Sequence, residues 1–366
     1  MAARALSPYN TPMAAPQTTS LQPSLRHLRR LSDEVGVREH ARHAVPRPEH
    51  GYCLDDNARA VLVLSELSGE QDNAATARLF DRCLSFVLAA QAADGRFRNR
   101  YSHDHRWVDE PATGDHWGRA LWALGHVATR HREHTLTARA RTGFLAGARL
   151  RSRHHRSMAY AALGGAAFLG TASGDTEQHV VRLLLADAID VIGPPALDPD
   201  WPWPARRLTY ANARVPEALI AAGVALDDES TLENGLLLLR WLVGTETRGG
   251  HLSFTPVGGK ARGTPGPAFD QQPIEAWALA DAAVRAFNVT NDGYWRSVVE
   301  RCAAWFLGDN DSEVPLLNAA TGGGCDGLEA DGRNENQGAE STLALVAVLS
   351  AHARVGDRGH PLVRPH

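Results

Sequence analysis

Two kinds of helical segment alternate along this sequence. In the first kind, apolar residues occupy all sides of the predicted helix, and a long loop rich in Gly, Pro, Asp, His and Trp precedes it. In the second kind, apolar residues form one stripe at helical spacing. The apolar segments are 54–67, 114–128, 154–169, 210–226, 270–287 and 335–352. The amphipathic segments are 24–35, 74–91, 135–148, 177–192, 229–243 and 293–307.

This alternation predicts an all-α protein built as a closed ring. A helix that is apolar on every side must be buried, whereas a helix with one apolar stripe can face water. Six inner helices surrounded by six outer helices form an (α/α)6 barrel, in which each pair covers its neighbours. An open solenoid is the alternative, but solenoids rarely carry elaborate loops before every second helix. Strand signals are limited to short loop hairpins at 95–101 and 251–257.

Composition limits the class of protein. We expect a disordered arm at 1–22, one barrel domain at 23–355 and a tail at 356–366, since residues 1–20 lack periodicity and are rich in Ala, Pro, Ser and Thr. The 38 Lys and Arg nearly balance the 42 Asp and Glu, which argues against a nucleic-acid or membrane partner. No secretion signal or membrane span is evident, and the four scattered cysteines indicate no disulfide framework. The predicted location is the cytoplasm.

The starts of the apolar segments are polar and resemble one another. Asp55-Asp56-Asn57-Ala58-Arg59 and Asp115-His116-Trp117-Gly118-Arg119 both place an aspartate four residues before an arginine, and Tyr210-Ala211-Asn212-Ala213-Arg214 keeps part of that frame. Residues 270–275 and 335–340 share a second frame that ends in glutamate. Helix capping explains any one of these residues, but it does not call for paired aspartates or doubled glutamines. In a closed ring, the six starts meet at one mouth.

A mouth lined by carboxylates, amides, arginines and aromatic rings is typical of a glycan site. Two carboxylates perform hydrolysis, and burial or a neighbouring charge raises the pKa of the general acid. The predicted catalytic residues are Asp55, Asp56, Asp115, Glu275 and Glu340. The predicted substrate-binding residues are Arg59, Trp117, Arg119, Trp203, Tyr210, Asn212, Asp270, Gln271, Gln272, Asp326 and Gln337. No cofactor is expected, and the histidines at 103, 105, 154 and 155 do not indicate a metal site.

Several motifs resemble known sequences. The segment Leu54-Asp55-Asp56-Asn57-Ala58 is similar to a helix start of bacterial endo-α-1,6-mannanases in the six-hairpin glycosidase superfamily. Five motifs between about residues 50 and 350 resemble a bacterial family often described as glycosyltransferases, which implies the same fold and a separate glycosyltransferase partner. In that family an acid is expected where this sequence has Ala211. The nucleophile and acid roles of the mannanases would fall on Asp55 and Asp56.

Two alternatives to a glycoside hydrolase remain at this point. The first is a sugar epimerase or isomerase that uses His116 or His155 as its base, because histidine titrates near neutral pH. The second is a non-catalytic glycan-binding domain that assists a glycosyltransferase, which the missing acid at Ala211 favours. The sugar, the linkage and the stereochemical outcome are not encoded in the motifs.

Overall fold

Twelve α-helices occur in the described part of the chain, and they alternate between inner and outer positions. The computed structural model describes residues 23–67, 73–129 and 134–357, so the predicted arm and most of the tail lie outside the described residues. The inner helices are α2 (Leu54–Ser65), α4 (Asp115–Val127), α6 (His155–Leu169), α8 (Arg214–Leu226), α10 (Pro273–Thr290) and α12 (Ala339–Asp357). The outer helices are α1 (Arg26–Leu31), α3 (Ala74–Ala89), α5 (His134–Gly147), α7 (Asp175–Ile192), α9 (Glu229–Thr245) and α11 (Gly293–Phe306).

The inner helices form a closed ring. Each packs against the next along the chain, from α2 to α12, and α12 packs against α2. Each of the outer helices α3, α5, α7, α9 and α11 packs against the inner helix before it, and α1 packs against α12 to complete the sixth pair. The predicted (α/α)6 barrel is therefore confirmed, and an open superhelix is excluded. None of the described helices is both long and apolar enough to cross a membrane.

The strands are short and lie in the loops between helices. Six two-stranded antiparallel ladders are present among the described residues. They consist of β1 (Ala41–Arg42) with β2 (Val45–Pro46), β3 (Tyr52–Cys53) with β4 (Arg100–Tyr101), β5 (Arg207–Leu208) with β8 (Lys260–Ala261), β6 (Thr247–Arg248) with β7 (His251–Leu252), β9 (Leu317–Asn318) with β10 (Gly323–Gly324), and β11 (Gly327–Glu329) with β12 (Gly332–Asn334). Ladder β3–β4 joins the loop before α2 to the loop before α4.

A layer of large side chains fills the axis of the ring. The guanidinium of Arg214 lies 4.5 Å from the ring centre of Trp122 and 5.3 Å from that of Trp277. Arg214 also donates to Glu217 at 2.6 Å and lies 2.9 Å from Asp281. Cavities lie at both ends of the barrel: one of about 640 Å³ at the N-terminal ends of the inner helices and one of about 740 Å³ at their C-terminal ends. The polar helix starts line the first, which we call the mouth.

Close packing of α4 on α6 depends on glycine. A Cβ added at Gly164 would lie 2.7 Å from the carbonyl carbon of Leu121 and 2.8 Å from Cα of Trp122, both of which are backbone atoms. Gly164→Ala is therefore expected to lower the free energy of unfolding by about 1–3 kcal/mol in urea titrations. The neighbouring Gly165→Ala is the control, because its Cβ would meet only the ends of leucine side chains, the nearest at 3.2 Å. Equal stability of the two variants would contradict this explanation.

Candidate active site

The mouth gathers residues from distant parts of the sequence. Ten of the predicted site residues line it: Asp55, Asp56, Arg59, Asp115, Arg119, Tyr210, Asp270, Gln272, Asp326 and Glu340. The starts of α2, α4, α10 and α12 supply most of them. The convergence of helix starts places seven carboxylates in one cavity, since Glu39 lines it as well.

Arg119 organises one side of the mouth. It donates to Asp55 at 2.6 Å and to the hydroxyl of Tyr160 at 3.1 Å, and its guanidinium also lies 3.9 Å from Asp115. Asn99 donates to the second oxygen of Asp55 at 3.1 Å. Burial alone would raise the pKa of Asp55, but the charges of Arg119 and Arg59 and the hydrogen bond from Arg119 together outweigh burial and lower that pKa to about 2. Asp55 is therefore an ionised carboxylate whose side chain remains 20% exposed.

Asp115 lies beside Asp55 in the same wall. Its carboxylate accepts a hydrogen bond from Ser157 at 2.6 Å and another from the hydroxyl of Tyr210. The ring of Tyr210 lies 4.8 Å from the guanidinium of Arg156 and is 42% exposed. An aromatic ring and an oriented carboxylate thus meet at the open part of the mouth.

Arg59 holds two other acids of the mouth. It donates to Asp56 at 2.7 Å and lies 2.5 Å from Glu340 of α12. The second oxygen of Asp56 accepts from the thiol of Cys53 at 3.1 Å, and the side chain is only 3% exposed. Burial raises the pKa of Asp56 to about 6 against the opposing charge of Arg59. The two arginines therefore position carboxylates instead of offering a free guanidinium to a ligand.

Among the described residues, Asp270 has no ion pair with an arginine or lysine, in contrast to Asp55, Asp56 and Glu340. It precedes α10, and one carboxyl oxygen is buried without a hydrogen-bond partner among the described residues. Burial, followed by the charges of Glu329 and Asp326, raises the pKa of Asp270 to about 6. Because α10 is next to α8 and α12 in the ring, Asp270 stands across the mouth from α4 and Asp115.

Six predicted site residues do not line the mouth. Trp117 is fully buried and donates to the carbonyl of Gly147, and Trp203 is buried against Trp241. Neither indole therefore has a free face to stack on a sugar. The other four are buried as well, and their side-chain polar atoms bond to protein groups: Asn212, Gln271, Glu275 and Gln337.

Glu275 is buried and binds the backbone before α8 instead of facing the mouth. Its carboxylate accepts from the backbone N–H groups of Ala211 and Asn212, and Ala211 has a positive φ of 43°. The glutamate thus satisfies donors at the start of the neighbouring helix instead of capping its own. Burial, with the nearby charge of Glu246, raises the pKa of Glu275 to about 8, and burial raises that of Glu246 to about 7.

These two buried glutamates make stability depend on pH. Their pKa values in the folded state exceed the unfolded value near 4.5, so folding binds protons and stability falls as pH rises from about 5 to about 8. Glu275→Gln is expected to flatten this decline, because a neutral amide has no proton to lose. Urea midpoints measured at unit steps from pH 5 to 9 test it. Glu233→Gln, at an exposed position of α9, should show the same decline of the urea midpoint with pH as the wild type. If Glu275→Gln shows that same decline, Glu275 is not its cause.

Sequence reasoning missed several residues that line the mouth. Glu39, His40, Asn99, Asn334 and Ser341 all contribute to it. They lie in irregular loops or short ladders, apart from Ser341 in the first turn of α12. Asn99 was within reach of prediction, because it lies in the expected hairpin at 95–101, which β4 now places against the start of α2. Asp55 and Asp56 do not cap the N-terminus of α2. The side chain of Cys53 does so, while Asp55 and Asp56 form ion pairs with arginines.

Comparison with known proteins shows the fold. No protein-family model matches the chain, and no curated protein matches its sequence. Among solved structures, it is similar to cellobiose 2-epimerase from Bacillus thermoamylovorans, with a TM-score of 0.67, 10% identity and coverage of 90% of this chain and 96% of the other. The GH76A α-1,6-mannanase from a Salegentibacter species matches with a TM-score of 0.62 and 10% identity, over 90% of this chain and 96% of the mannanase. A D-mannose isomerase matches with a TM-score of 0.63 and 9% identity, over 90% of this chain and 94% of the isomerase. The chain has the six-hairpin glycosidase fold, which both hydrolases and epimerases use.

Proposed function

We propose that this protein is a glycoside hydrolase that cuts an oligosaccharide bound in the mouth. The observation that carries the proposal is the presence of two unlike carboxyl groups in one cavity. Asp55 is held ionised by Arg119, whereas Asp270 has no ion pair within the described part of the chain and keeps its proton more readily. Enzymes assign acid and base roles to carboxyl groups by separating their pKa values in this way.

The roles follow from access and charge. Asp270 is the proton donor to the glycosidic oxygen, and Asp55, with Asp115 beside it, is the carboxylate that attacks the anomeric carbon or activates water. Asp56 is less suited to transfer a proton, because both of its oxygens are engaged and its side chain is almost fully buried. It positions Arg59, and through Arg59 it positions Glu340.

The histidines give less support to an epimerase. Nε2 of His116 lies 3.0 Å from the carbonyl oxygen of Phe97, so it carries the proton and donates there. The other ring nitrogen of His116 lies over the backbone of Gly114. His155 does not line the mouth, and burial lowers its pKa. His40, the other described histidine that lines the mouth, is exposed at the rim, where its ring packs edge-on against His50 and lies 3.6 Å from Glu39.

A substrate screen in D₂O separates the two reactions. Purified protein is incubated with neutral manno- and gluco-oligosaccharides, and proton NMR follows both new reducing ends and exchange of carbon-bound hydrogen. A hydrolase releases reducing ends without such exchange, whereas an epimerase introduces deuterium next to the carbonyl carbon. Deuterium incorporation without chain cleavage would overturn the proposal.

The charge of the mouth predicts its selectivity. Seven carboxylates line it, and both of its arginines are already paired with acids. Oligosaccharides of uronic acids are therefore expected to bind at least about tenfold more weakly than neutral ones, since close like charges are repelled in a partly buried site. Competition by oligogalacturonides against a neutral substrate measures this difference. Tight inhibition by the acidic sugars would show that the proposed charge pattern is wrong.

A further inference from the structure

A second concave surface lies outside the mouth. This groove, of about 410 Å³, is bounded by α3 and by the loop that carries β4. Three aromatic rings form its wall: Phe86, Tyr101 and Trp107, with ring centres 4.8–5.6 Å apart. Tyr101 and Trp107 remain partly exposed, whereas Phe86 belongs to the core.

The groove and the mouth lie on two sides of the same ladder. Strand β3 pairs with β4 through Tyr52 with Tyr101 and Cys53 with Arg100. Cys53 lines the mouth, as does Asn99, which directly precedes β4, while Tyr101 lines the groove. Paired strands are about 4.8 Å apart, so the wall between the two surfaces is thin. A ligand that contacts both surfaces must cross this ladder.

The chemistry of the groove is that of a sugar site. The partly exposed rings of Tyr101 and Trp107 can stack on the C–H groups of a pyranose, and the exposed Glu34 and Ser85 carry oxygens beside them. Among the described residues, none accepts a hydrogen bond from the indole N–H of Trp107. Arg82 is the one cation in the described lining of the groove, whereas Glu34 and Asp81 contribute two acids, so the lining is acidic overall. Aromatic rings combined with hydroxyl-binding oxygens favour a neutral glycan over a phosphate-bearing ligand.

We propose that this groove is an accessory subsite for a glycan chain whose cleaved end occupies the mouth. This inference rests on the proposed hydrolase function and extends it, because it names a polysaccharide or long oligosaccharide as the substrate class. Short oligosaccharides fill the mouth alone, and longer ones gain additional contacts in the groove. Chain length should therefore affect binding through the groove and leave the chemical step unchanged.

Filling the groove tests the subsite. Ala89 is exposed on α3 and lines the groove, so Ala89→Trp fills it without touching the mouth. Ala77→Trp, at another exposed position of the same helix, is the matched control, and Trp107→Ala removes one of the two partly exposed rings of the wall. Affinity electrophoresis uses mannan, glucomannan and hydroxyethylcellulose as probes, and calorimetry compares hexasaccharides with disaccharides of the same sugars. Circular dichroism verifies that each variant is folded.

The outcomes separate this inference from the function on which it rests. We expect Ala89→Trp and Trp107→Ala to weaken binding of the retained polysaccharide and of its hexasaccharide at least tenfold, with disaccharide affinity and the control unchanged. If the two groove variants lose long-chain binding but no protein hydrolyses any substrate, the subsite proposal stands and the hydrolase proposal is wrong. Hydrolysis with equal long-chain affinity in all variants would overturn the subsite alone. No retention by any of the three polysaccharides would also overturn the subsite.

Discussion

Replacing Arg214 by methionine is expected to lower the free energy of unfolding by about 3–5 kcal/mol. The guanidinium is 1% exposed and is the cation shared by Glu217 and Asp281 in the axis of the barrel. Methionine has a similar length, so the main loss is the charge. Removing Arg214 leaves Asp281 without its ion-pair partner and leaves Glu217 with only the more exposed Arg285, and the tryptophans on both sides lose a cation–π partner.

Two further variants isolate the electrostatic cause. Arg285 lies 3.3 Å from the same Glu217 but is 36% exposed, so Arg285→Met should cost about 1 kcal/mol or less. Combining Arg214→Met with Glu217→Gln and Asp281→Asn removes the uncompensated charges and should recover at least half of the loss. Urea unfolding of the four proteins measures these differences. A triple variant less stable than Arg214→Met alone would show that packing, and not charge, dominates.

The architecture was predictable because the distribution of apolar residues along a whole helical segment shows whether the helix is buried on all sides or on one. All twelve predicted helical segments correspond to helices, since a helix apolar on every side has only one place in a ring. Their starts were less accurate. The predicted segment at 210 becomes α-helical only at Arg214, because the residues before it form a turn in which Ala211 takes a positive φ. No sequence pattern near residue 211 predicts this turn.

The site was predictable at the level of segments but not of side-chain direction. Asp55, Asp115 and Asp270 reach the mouth because they stand at or before the first turn of an inner helix. Trp117 is also in a first turn but points into the barrel wall, since a difference of two residues rotates a side chain by about 200° around a helix. Whether a first-turn residue faces the mouth depends on how each helix is rotated, and this is decided by packing between helices.

The interactions between helices were beyond sequence reasoning. Arg119 lies four residues after Asp115, a spacing at which ion pairs form within a helix, yet its shorter contact is to Asp55 of the preceding inner helix. Likewise, Glu275 serves the backbone of residues 211 and 212 instead of its own helix. The acid expected at position 211 would have stood beside this buried glutamate, so the alanine avoids a further buried charge.

Replacing Asp270 by asparagine is expected to lower kcat by about 10²–10⁴-fold on a natural oligosaccharide, because the leaving oxygen then departs without a proton. An aryl glycoside with an acidic phenol needs no such proton, so on that substrate Asp270→Asn should retain most of its rate. Asp55→Asn should lose activity on both substrates, since the carboxylate acts on the anomeric carbon. Asp331→Asn, at an exposed position in the nearby β11–β12 turn, is the matched control.

The pH profile provides an independent test of the same assignment. A general acid must be protonated, so kcat/KM should fall as pH rises through the pKa of Asp270, which is about 6. The ionised form of Asp55 persists down to about pH 2, so Asp55 does not limit activity on the acidic side above that value. On the aryl glycoside, the decline above pH 6 should disappear, because proton donation no longer limits the rate. A profile that declines above pH 6 equally on both substrates, together with equal losses on both substrates in Asp270→Asn, would show that Asp270 does not donate the proton to the leaving oxygen.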